Sequence, residues 1–197
     1  IEIQPVPSVN AELSIPGSKS LTQRALIAAA LARGESRLCG PLVSEDTEYS
    51  AQALARFGVR IDREDQECWI VEGNGGTVHA DETTIYLGNN GTATRFLTSV
   101  AALGNSAVTI DGDERMQQRP IGPLIAALRG WGVDIVSIRG TDCPPLLVNA
   151  RGIAGGRTVL PEGRSSQYLS SLLLVAPYAR QPASLVVDGE VLSKPYV

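Results

Sequence analysis

Lysine is rare in this chain, and one of its two copies stands in a short loop where it could bind an anion. Of the 17 basic residues, only Lys19 and Lys194 are lysine. Lys19 lies in "PGSKS", residues 16–20, and Lys194 lies in "LSKPYV" at the other end of the sequence. A lysine ammonium is a compact charge, whereas an arginine guanidinium is a planar fork. A lysine in a Gly-Ser loop therefore indicates a site that favours the compact cation.

The loop around Lys19 belongs to an internal repeat with a period of about 71 residues. Three segments share small and hydroxyl residues, then a polar residue, then a long apolar run: "GSKSLTQRALIAAALARGESRL", "GNNGTATRFLTSVAALGNSAVTI" and "GRSSQYLSSLLLVAPYARQPASLVV". Arg24, Arg95 and Gln167 occupy equivalent places. Hydroxyl residues at the start, apolar residues at helical spacing and a β-rich run after a turn predict a helix followed by a strand in each segment.

A second pair of segments also repeats: "SAQALARFGVRIDREDQECWIVEGNG" and "IAALRGWGVDIVSIRGTDCPPLLVNARG". Each predicts a helix that ends at a glycine, Gly58 or Gly132, and is followed by two short strands. Proline is favoured in the first turn of a helix. We therefore place Pro120 in the first turn of the second copy and Pro195 in the first turn of a third.

These patterns predict an α/β (α+β) fold built on a pseudo-threefold repeat. Two units of helix, strand, helix, strand and strand are complete, and the third stops after "ASLVVDGEVLSKPYV". The chain begins with Ile1 rather than Met, so we expect that the true start is missing. We also expect either a cut chain or one whose remainder comes from elsewhere.

The repeat brings three helix N-termini of one kind into a single fold. Helix N-termini carry unsatisfied N–H donors and partial positive charge, and they hold anions well. For a single loop, an ordinary helix cap is the favoured explanation. Three equivalent loops with Lys, Arg, Ser and Gln favour an anionic ligand. The candidate residues are Lys19, Ser20 and Arg24, then Asn89, Gly91, Thr92 and Arg95, then Ser165, Ser166 and Gln167.

Two further stretches add candidates. "GDERMQQRPIG" supplies Arg115 and Arg119 just before a predicted helix, where guanidinium groups could hold a carboxylate. A solvated basic loop explains this stretch equally well. "EVLSKPYV" adds Ser193, Lys194 and Tyr196 in the matching place of the third unit. Without the repeat, a strand end followed by a turn is its better explanation.

Composition excludes several other classes of protein. The chain has 197 residues, 43% of them hydrophobic, and a formal net charge of −4 with 5% aromatic residues, so a nucleic-acid groove is not indicated. No apolar run approaches the roughly 20 residues of a membrane span. The three cysteines are scattered and lack CxxC spacing, which predicts a reducing, cytoplasmic setting.

The sequence does not match several well-defined nucleotide-binding, metal-binding and catalytic motifs. A P-loop needs glycine directly before its lysine, and Ser18 occupies that position. "GNGGTV" lacks the third glycine of a dinucleotide fingerprint. His79 is the one histidine, so neither a metal site nor a Ser-His-Asp triad has the residues it needs, and "DGDE" is too short for a calcium loop. We interpret His79 as structural.

The sequence resembles the N-terminal half of the 5-enolpyruvylshikimate-3-phosphate (EPSP) synthase family. The resemblance rests on "PGSKSLTQRAL", "YLGNNGTATRFL", "GDERMQQRPIGPLIAAL", "EGRSSQYLSSLLLVAP" and "VLSKPY", which occur in the family's order and cover nearly the whole chain. It implies an enzyme of two domains, each with three βαβαββ units and with the substrates between them. Residues 1–12 would be a strand or linker of the missing second domain, and residues 13–197 the N-terminal domain, with units at about 13–83, 84–155 and 156–197.

The resemblance also implies an activity. The family transfers the enolpyruvyl group of phosphoenolpyruvate to the 5-hydroxyl of shikimate 3-phosphate and releases phosphate through a tetrahedral intermediate, a step in chorismate and aromatic amino-acid biosynthesis. No metal or organic cofactor is expected, and neither nucleic acid nor a membrane is an expected partner. Because the half that supplies the proton-transferring carboxylates is absent, we expect this chain alone to be inactive.

The resemblance also implies roles for the residues of this sequence that match the family's motifs. The resemblance makes Lys19, Arg119 and Gln167 catalytic. Shikimate 3-phosphate would be bound by Lys19, Ser20, Arg24, Ser165, Ser166, Gln167, Ser193 and Tyr196. Phosphoenolpyruvate would be bound by Lys19, Gly91, Arg119 and Gln167.

Two residues depart from the family pattern, Asn90 where Ala or Ser is usual and Phe96 where Pro is common. We expect Asn90 to crowd the phosphoenolpyruvate pocket and to lower sensitivity to the inhibitor glyphosate. A related family that acts on UDP-N-acetylglucosamine has Asn after its first-loop lysine and a reactive Cys in a later loop, whereas this chain has Ser20 and no Cys between Asp111 and Pro120. A non-catalytic module that binds a phosphorylated metabolite, and a purely structural scaffold, are the alternatives from other classes.

Overall fold

Five helices and nine strands alternate along the computed structural model, which describes residues 2, 4–5, 7–80, 83–161 and 165–197. The helices are α1 (Lys19–Leu31), α2 (Glu45–Arg56), α3 (Gly91–Ala101), α4 (Gly122–Gly130) and α5 (Ser166–Val175). The strands are β1 (Arg33–Cys39), β2 (Arg60–Asp62), β3 (Cys68–Asn74), β4 (Thr83–Tyr86), β5 (Ala107–Asp111), β6 (Asp134–Ser137), β7 (Leu146–Asn149), β8 (Gly156–Leu160) and β9 (Ala183–Val187). Three short 3-10 turns lie at Met116–Gln118, Ala176–Tyr178 and Lys194–Tyr196.

The described strands form three sheets. The first has the order β1-β3-β2 and is antiparallel. The second has the order β4-β5-β7-β6, in which β4 and β5 run parallel and the other pairs run antiparallel. The third is the parallel pair β8-β9. The mixed helix and strand content agrees with the predicted fold class, while the division into units at 13–83, 84–155 and 156–197 stays a prediction.

Helices α1, α3 and α5 contact one another and form the centre of the structure. Helix α3 is buried along nearly its whole length, and its Phe96 and Leu97 are at most 1% exposed. A buried polar contact joins α3 to α5, where the Ser99 and Ser171 hydroxyls lie 2.6 Å apart and Ser171 also donates to the Arg95 carbonyl at 2.8 Å. This packing brings the N-terminal ends of all three helices to one region of the molecule.

Helices α2 and α4 end in the same way, as the sequence predicts. Gly58 and Gly132 both have positive φ, at 85° and 82°, a conformation that glycine adopts without strain. After α2, the Val59 N–H donates to the Leu54 carbonyl, and after α4 the Val133 N–H donates to the Leu128 carbonyl. These are Schellman caps, which satisfy carbonyls left free at a helix end. The matched helix stops at the two glycines are confirmed.

The prediction that Pro120 lies in the first turn of the helix is wrong, because the helix begins two residues later. Helix α4 begins at Gly122 with Ile121 as its N-cap, so Pro123 is the proline in the first turn. The Ile121 N–H donates to the Asp142 carbonyl at 2.8 Å, and Ile121 has non-helical φ of −134° and ψ of 8°, so the helix begins only after this contact. Pro195 lies in the short turn Lys194–Tyr196.

The N-terminal segment has no helix or strand among its described residues before Lys19. Residues 7–16 are exposed. The assignment of residues 1–12 to another domain stays a prediction.

Candidate active site

Lys19 is the first residue of α1, and its position depends on a tight contact between Gly17 and Gly40. Ser18 is the N-cap, and its hydroxyl accepts from the Leu21 N–H. A Cβ atom at Gly17 would overlap the Gly40 carbonyl oxygen at the end of β1, so only glycine fits there. The Lys19 ammonium forms an ion pair of 2.6 Å with Asp46 of α2, and its side chain is 50% exposed. Lys19 is therefore both held by Asp46 and open to solvent.

Asn90 ties the starts of α1, α2 and α3 together. Its side-chain oxygen accepts from the Ala93 N–H at 2.9 Å, which caps α3, and from Gln23 Nε2 at 3.2 Å. Its amide nitrogen donates to the Asp46 carbonyl at 2.7 Å. Asn90 is 2% exposed, and its polar end is directed at α1 and α2. That Asn90 crowds the phosphoenolpyruvate pocket stays a prediction, and these contacts favour a structural role for it.

Two guanidinium groups converge on Gly91, the first residue of α3. A Cβ atom at Gly91 would lie 2.6 Å from Arg95 Nη1 and 2.8 Å from Arg119 Nη1. Arg95 donates to the Gly91 carbonyl at 2.6 Å, and Arg119 donates to the Asn89 carbonyl at 3.2 Å. Loss of solvent and the positive charges of Arg95 and Arg115 lower the pKa of Arg119. A bound anion would relieve this repulsion.

Arg95 and Arg24 are both buried in part and both carry spare donors. Arg95 is 9% exposed, its guanidinium lies 5.2 Å from the ring of Tyr168, and its Nε has no acceptor among the described residues. Within the same described ranges, Arg24 Nη2 also lacks an acceptor. Burial lowers the pKa of Arg24. Buried donors without partners are rare in proteins, so these two atoms are candidates to bind an anion.

Arg24 connects α1 with α5 and the last residues of the chain. Its Nε donates to Ser170 Oγ at 3.1 Å and its Nη1 donates to the Ser20 carbonyl at 3.0 Å. The guanidinium also lies 5.2 Å from the ring of Phe96 and 5.5 Å from the ring of Tyr196. Phe96 stands where the family that the sequence resembles commonly has proline. It packs against Arg24, a residue predicted to bind the substrate.

The start of α5 meets the start of α3 through Gln167. Its Nε2 donates to Thr92 Oγ1 at 3.0 Å, and its N–H donates to the hydroxyl of Ser165, the N-cap of α5. Ser166 is 8% exposed. Gly163 and Arg164, which precede Ser165 in the predicted loop, lie outside the described residues.

The structure brings most of the predicted residues to one region but leaves three at its edge. Ser193 has left-handed φ of 55°, and it and Lys194 are exposed. The main chain of Tyr196 is anchored, because its carbonyl accepts from Ser170 Oγ at 3.2 Å. Arg115 is exposed as well.

Sequence reasoning missed Asp46, which pairs with Lys19, and Tyr168, which faces Arg95. The Tyr168 hydroxyl donates to the Pro120 carbonyl at 2.8 Å and so links α5 to the loop that carries Arg119. Asp46 lies in the acidic first turn of α2, where a carboxylate is favoured by the helix dipole alone. That local explanation hides its pairing with a lysine 27 positions earlier.

The site is basic although the chain carries a net charge of −4. It contains the N-termini of α1, α3 and α5 and the cations Lys19, Arg24, Arg95 and Arg119, with Asp46 as the paired carboxylate. Phosphate and carboxylate groups suit such an arrangement, since arginine binds them through two parallel hydrogen bonds. Within the described ranges, no three His, Cys, Asp or Glu side chains cluster in a way that could hold a metal ion. No described helix is long and apolar enough to span a membrane.

Comparison with solved structures defines the class of fold. The structure matches EPSP synthase from Acinetobacter baumannii with a TM-score of 0.81 and 26% sequence identity, over 90% of this chain and 40% of that one. It also matches the enolpyruvyl transferase NikO from Streptomyces tendae with a TM-score of 0.66 and 15% identity, which shows the shared fold. The chain therefore has the enolpyruvyl transferase fold.

Sequence comparison narrows the class to one family. The family profile of EPSP synthase (3-phosphoshikimate 1-carboxyvinyltransferase) matches residues 3–197. The 3-phosphoshikimate 1-carboxyvinyltransferase of Shewanella amazonensis is 41% identical over the whole chain, and that of Rhizobium etli is 47% identical over 89% of it. The chain belongs to the EPSP synthase family. It spans about half the length of these relatives, 46% and 41% respectively.

Proposed function

We propose that this chain supplies one half of the active site of a 3-phosphoshikimate 1-carboxyvinyltransferase. The reaction joins the enolpyruvyl group of phosphoenolpyruvate to the 5-hydroxyl of shikimate 3-phosphate and releases phosphate, in the shikimate pathway of aromatic amino-acid biosynthesis. The observation that carries the proposal is the convergence of Arg95 and Arg119 on Gly91, beside the start of α3. The names of the relatives support the choice of substrates.

Shikimate 3-phosphate would bind where α1, α5 and the end of the chain meet. The spare donor of Arg24 and the hydroxyls of Ser20, Ser165 and Ser166 supply the hydrogen bonds that a phosphate accepts. The Tyr196 ring, which lies against Arg24, would complete this side together with Ser193. Gln167 bridges towards α3 and would contact both substrates.

Phosphoenolpyruvate would bind beside Gly91, where the absence of a side chain leaves Arg95 and Arg119 close to the main chain. Its phosphate and carboxylate are both anions, and preorganised cations stabilise charge that shifts during addition and elimination. The Lys19 ammonium, at the start of α1, would contact both substrates. Asp46 holds it there until a substrate anion competes for it.

The chemistry requires proton transfer as well as charge stabilisation. The 5-hydroxyl gives up its proton as its oxygen adds to the central carbon of phosphoenolpyruvate, and the methylene carbon takes a proton. The tetrahedral intermediate then loses a methyl proton and phosphate. Asp46 is engaged by Lys19, so we assign the proton-transferring carboxylates to a second half of the active site. We therefore expect activity only when this chain is joined to, or mixed with, such a half. A cytoplasmic location stays a prediction from the cysteine pattern.

Reconstitution tests the proposal. The chain is mixed with the C-terminal half of a relative, and phosphate release is measured with both substrates present. We expect activity from the mixture, its loss in Lys19→Met, and partial activity in Asp46→Asn, because only the latter keeps the ammonium. An exposed ion pair contributes about 0–1 kcal/mol to stability, so both variants should unfold near the wild-type temperature.

The alternatives predict different results. A metabolite-binding module would show shikimate 3-phosphate shifts at the amides of Ser20, Arg24 and Ser165 but no turnover with any second half. A scaffold would show neither, and Lys19→Met would behave as wild type in every assay. Absence of both amide shifts and turnover would overturn the proposed function.

A further inference from the structure

Two of the three cysteines face each other across the first sheet, away from the candidate active site. Cys39 ends β1 and Cys68 begins β3, and the antiparallel register pairs them directly. Their sulfur atoms lie 3.4 Å apart. Cys39 is exposed, and Cys68 is partly exposed. Cys143, by contrast, is buried in the loop between β6 and β7.

The backbone geometry at this pair suits a covalent link. The Gly40 N–H donates to the Glu67 carbonyl at 2.7 Å, so the next pair along the ladder, Cys39 and Cys68, is a non-hydrogen-bonded pair. Side chains of such pairs stand closest together, with Cα atoms about 4.5 Å apart. Disulfides span Cα separations of about 4.4–6.8 Å. Rotation of the two side chains can therefore join the sulfurs without moving either strand.

The charges around the pair distinguish the two sulfurs. Arg37 stands two residues before Cys39, and the neighbouring Cys68 sulfur raises the pKa of its guanidinium. The hydrogen bond with Cys68 raises the pKa of Cys39. A cation beside an accessible sulfur is typical of reactive cysteines, because the thiolate is the nucleophile. Because Arg37 interacts with Cys68, we take Cys68 as the sulfur that reacts first.

We propose that Cys39 and Cys68 form a reversible cross-strand disulfide when the protein meets a peroxide. The Cys68 thiolate attacks one oxygen of hydrogen peroxide, forming an S–O bond as the O–O bond breaks and hydroxide leaves. That hydroxide takes the Cys39 proton and becomes the first water, and the Cys39 sulfur then attacks Cys68, so that the S–S bond forms and the S–O bond breaks. The second oxygen leaves as hydroxide, and the proton that Cys68 released on becoming the thiolate converts it to the second water. In sum, two thiols and one peroxide give one disulfide and two waters.

The link would restrain the support of the Lys19 loop. Gly40, next to Cys39, packs its carbonyl against Gly17, two residues before Lys19. The Leu42 N–H donates to the Thr22 hydroxyl of α1 at 2.9 Å. The disulfide therefore closes a loop that contains α2 and Asp46, and it fixes the β1 end on which the start of α1 rests. In a reducing compartment such a bond serves as a transient redox response and not as a permanent staple.

Peptide mapping is the direct test. The purified chain is treated with hydrogen peroxide, free thiols are alkylated, and trypsin is added. We expect a mass loss of about 2 Da in the intact protein and one linked product that joins residues 38–56 to residues 64–95. A thiol reductant should reverse both changes. Cys143→Ser should give the same linked product, and Cys39→Ser and Cys68→Ser should not.

Two further measurements separate this proposal from nonspecific oxidation. Arg37→Gln should slow the loss of free thiol several-fold, because it removes the cation beside Cys68. Closing a loop of about 30 residues should raise Tm by about 5 °C or more in the oxidised protein. The Leu42 amide should then exchange its hydrogen more slowly.

Different results would contradict the disulfide itself and its connection to the Lys19 loop. Disulfides only between molecules, or oxygen adducts on the cysteines without the linked product, would overturn the disulfide. A linked product with unchanged exchange at Leu42 would overturn its connection to the Lys19 loop. None of these measurements uses catalysis, so failure here is distinguishable from failure of the proposed function.

Discussion

At the scale of single residues, the candidate site depends on side chains that are absent as much as on those present. Gly91 is the clearest case, because its missing Cβ lets two guanidinium groups approach the start of α3. Gly17 has the same role against the Gly40 carbonyl. Neither glycine has the positive φ that often explains a glycine, so close approach is the reason for both.

Gly91→Ala should weaken the binding of phosphoenolpyruvate. The added methyl would displace Arg95 and Arg119, and losing about 1.4 kcal/mol from their contacts would raise the KM of the reconstituted enzyme for phosphoenolpyruvate tenfold. The KM for shikimate 3-phosphate should change less, because Arg24 stays in place. Gly104→Ala, far from the site and without positive φ, is the control. Equal effects of the two substitutions would contradict the assignment of Gly91.

Asn90→Ala should act on stability more than on specificity. It removes the cap of α3 and the hydrogen bonds that Asn90 forms with Gln23 and with the Asp46 carbonyl, which together should lower the free energy of unfolding by about 2–4 kcal/mol. Urea denaturation measures this loss, and Asn105→Ala at an exposed position should change it little. The ratio of glyphosate inhibition constant to phosphoenolpyruvate KM should stay unchanged. A large change in that ratio would support the hypothesis that Asn90 crowds the phosphoenolpyruvate pocket.

At the scale of elements, local signals predict the helices well and their contacts poorly. Gly58 and Gly132 could be assigned as helix stops because a Schellman cap is determined by a few neighbouring residues. The start of α4 was misplaced because the contact between Ile121 and Asp142 joins residues far apart in sequence. The same limit applies at the site, where the repeat indicated Lys19 and the arginines but no local pattern indicated Asp46 as a partner of Lys19.

The two helix stops should differ in their tolerance of alanine. At both glycines a side chain in left-handed conformation costs about 1–2 kcal/mol. A Cβ at Gly132 would also lie 3.0 Å from Ala154 Cβ, whereas at Gly58 the nearest atom is His79 Cβ at 3.7 Å. Gly132→Ala should therefore lower the free energy of unfolding more than Gly58→Ala. Gly140→Ala, with φ of 68° and no atom within 4 Å, measures the conformational cost alone.

At the scale of the whole molecule, the candidate site joins segments that are distant in sequence. The Arg24 guanidinium bonds Ser170 in α5, 146 positions away, and Gln167 reaches Thr92 across 75 positions. A ligand bound there contacts α1, α5 and the end of the chain together. Because unfolding must separate these segments, ligand binding and the stability of the described fold are linked.

Shikimate 3-phosphate should therefore raise the Tm of this chain even without a second half. A concentration 100-fold above Kd would add about 2.7 kcal/mol, or roughly 5–10 °C for a chain of this size. Arg24→Gln should abolish most of the shift, while Arg157→Gln, at an exposed position of β8, should keep it. High salt should reduce the shift to the extent that the phosphate contacts are exposed to solvent. An equal shift in wild type and Arg24→Gln would mean that the ligand binds elsewhere, because Arg24 carries the spare Nη2 donor while its Nε joins α1 to α5.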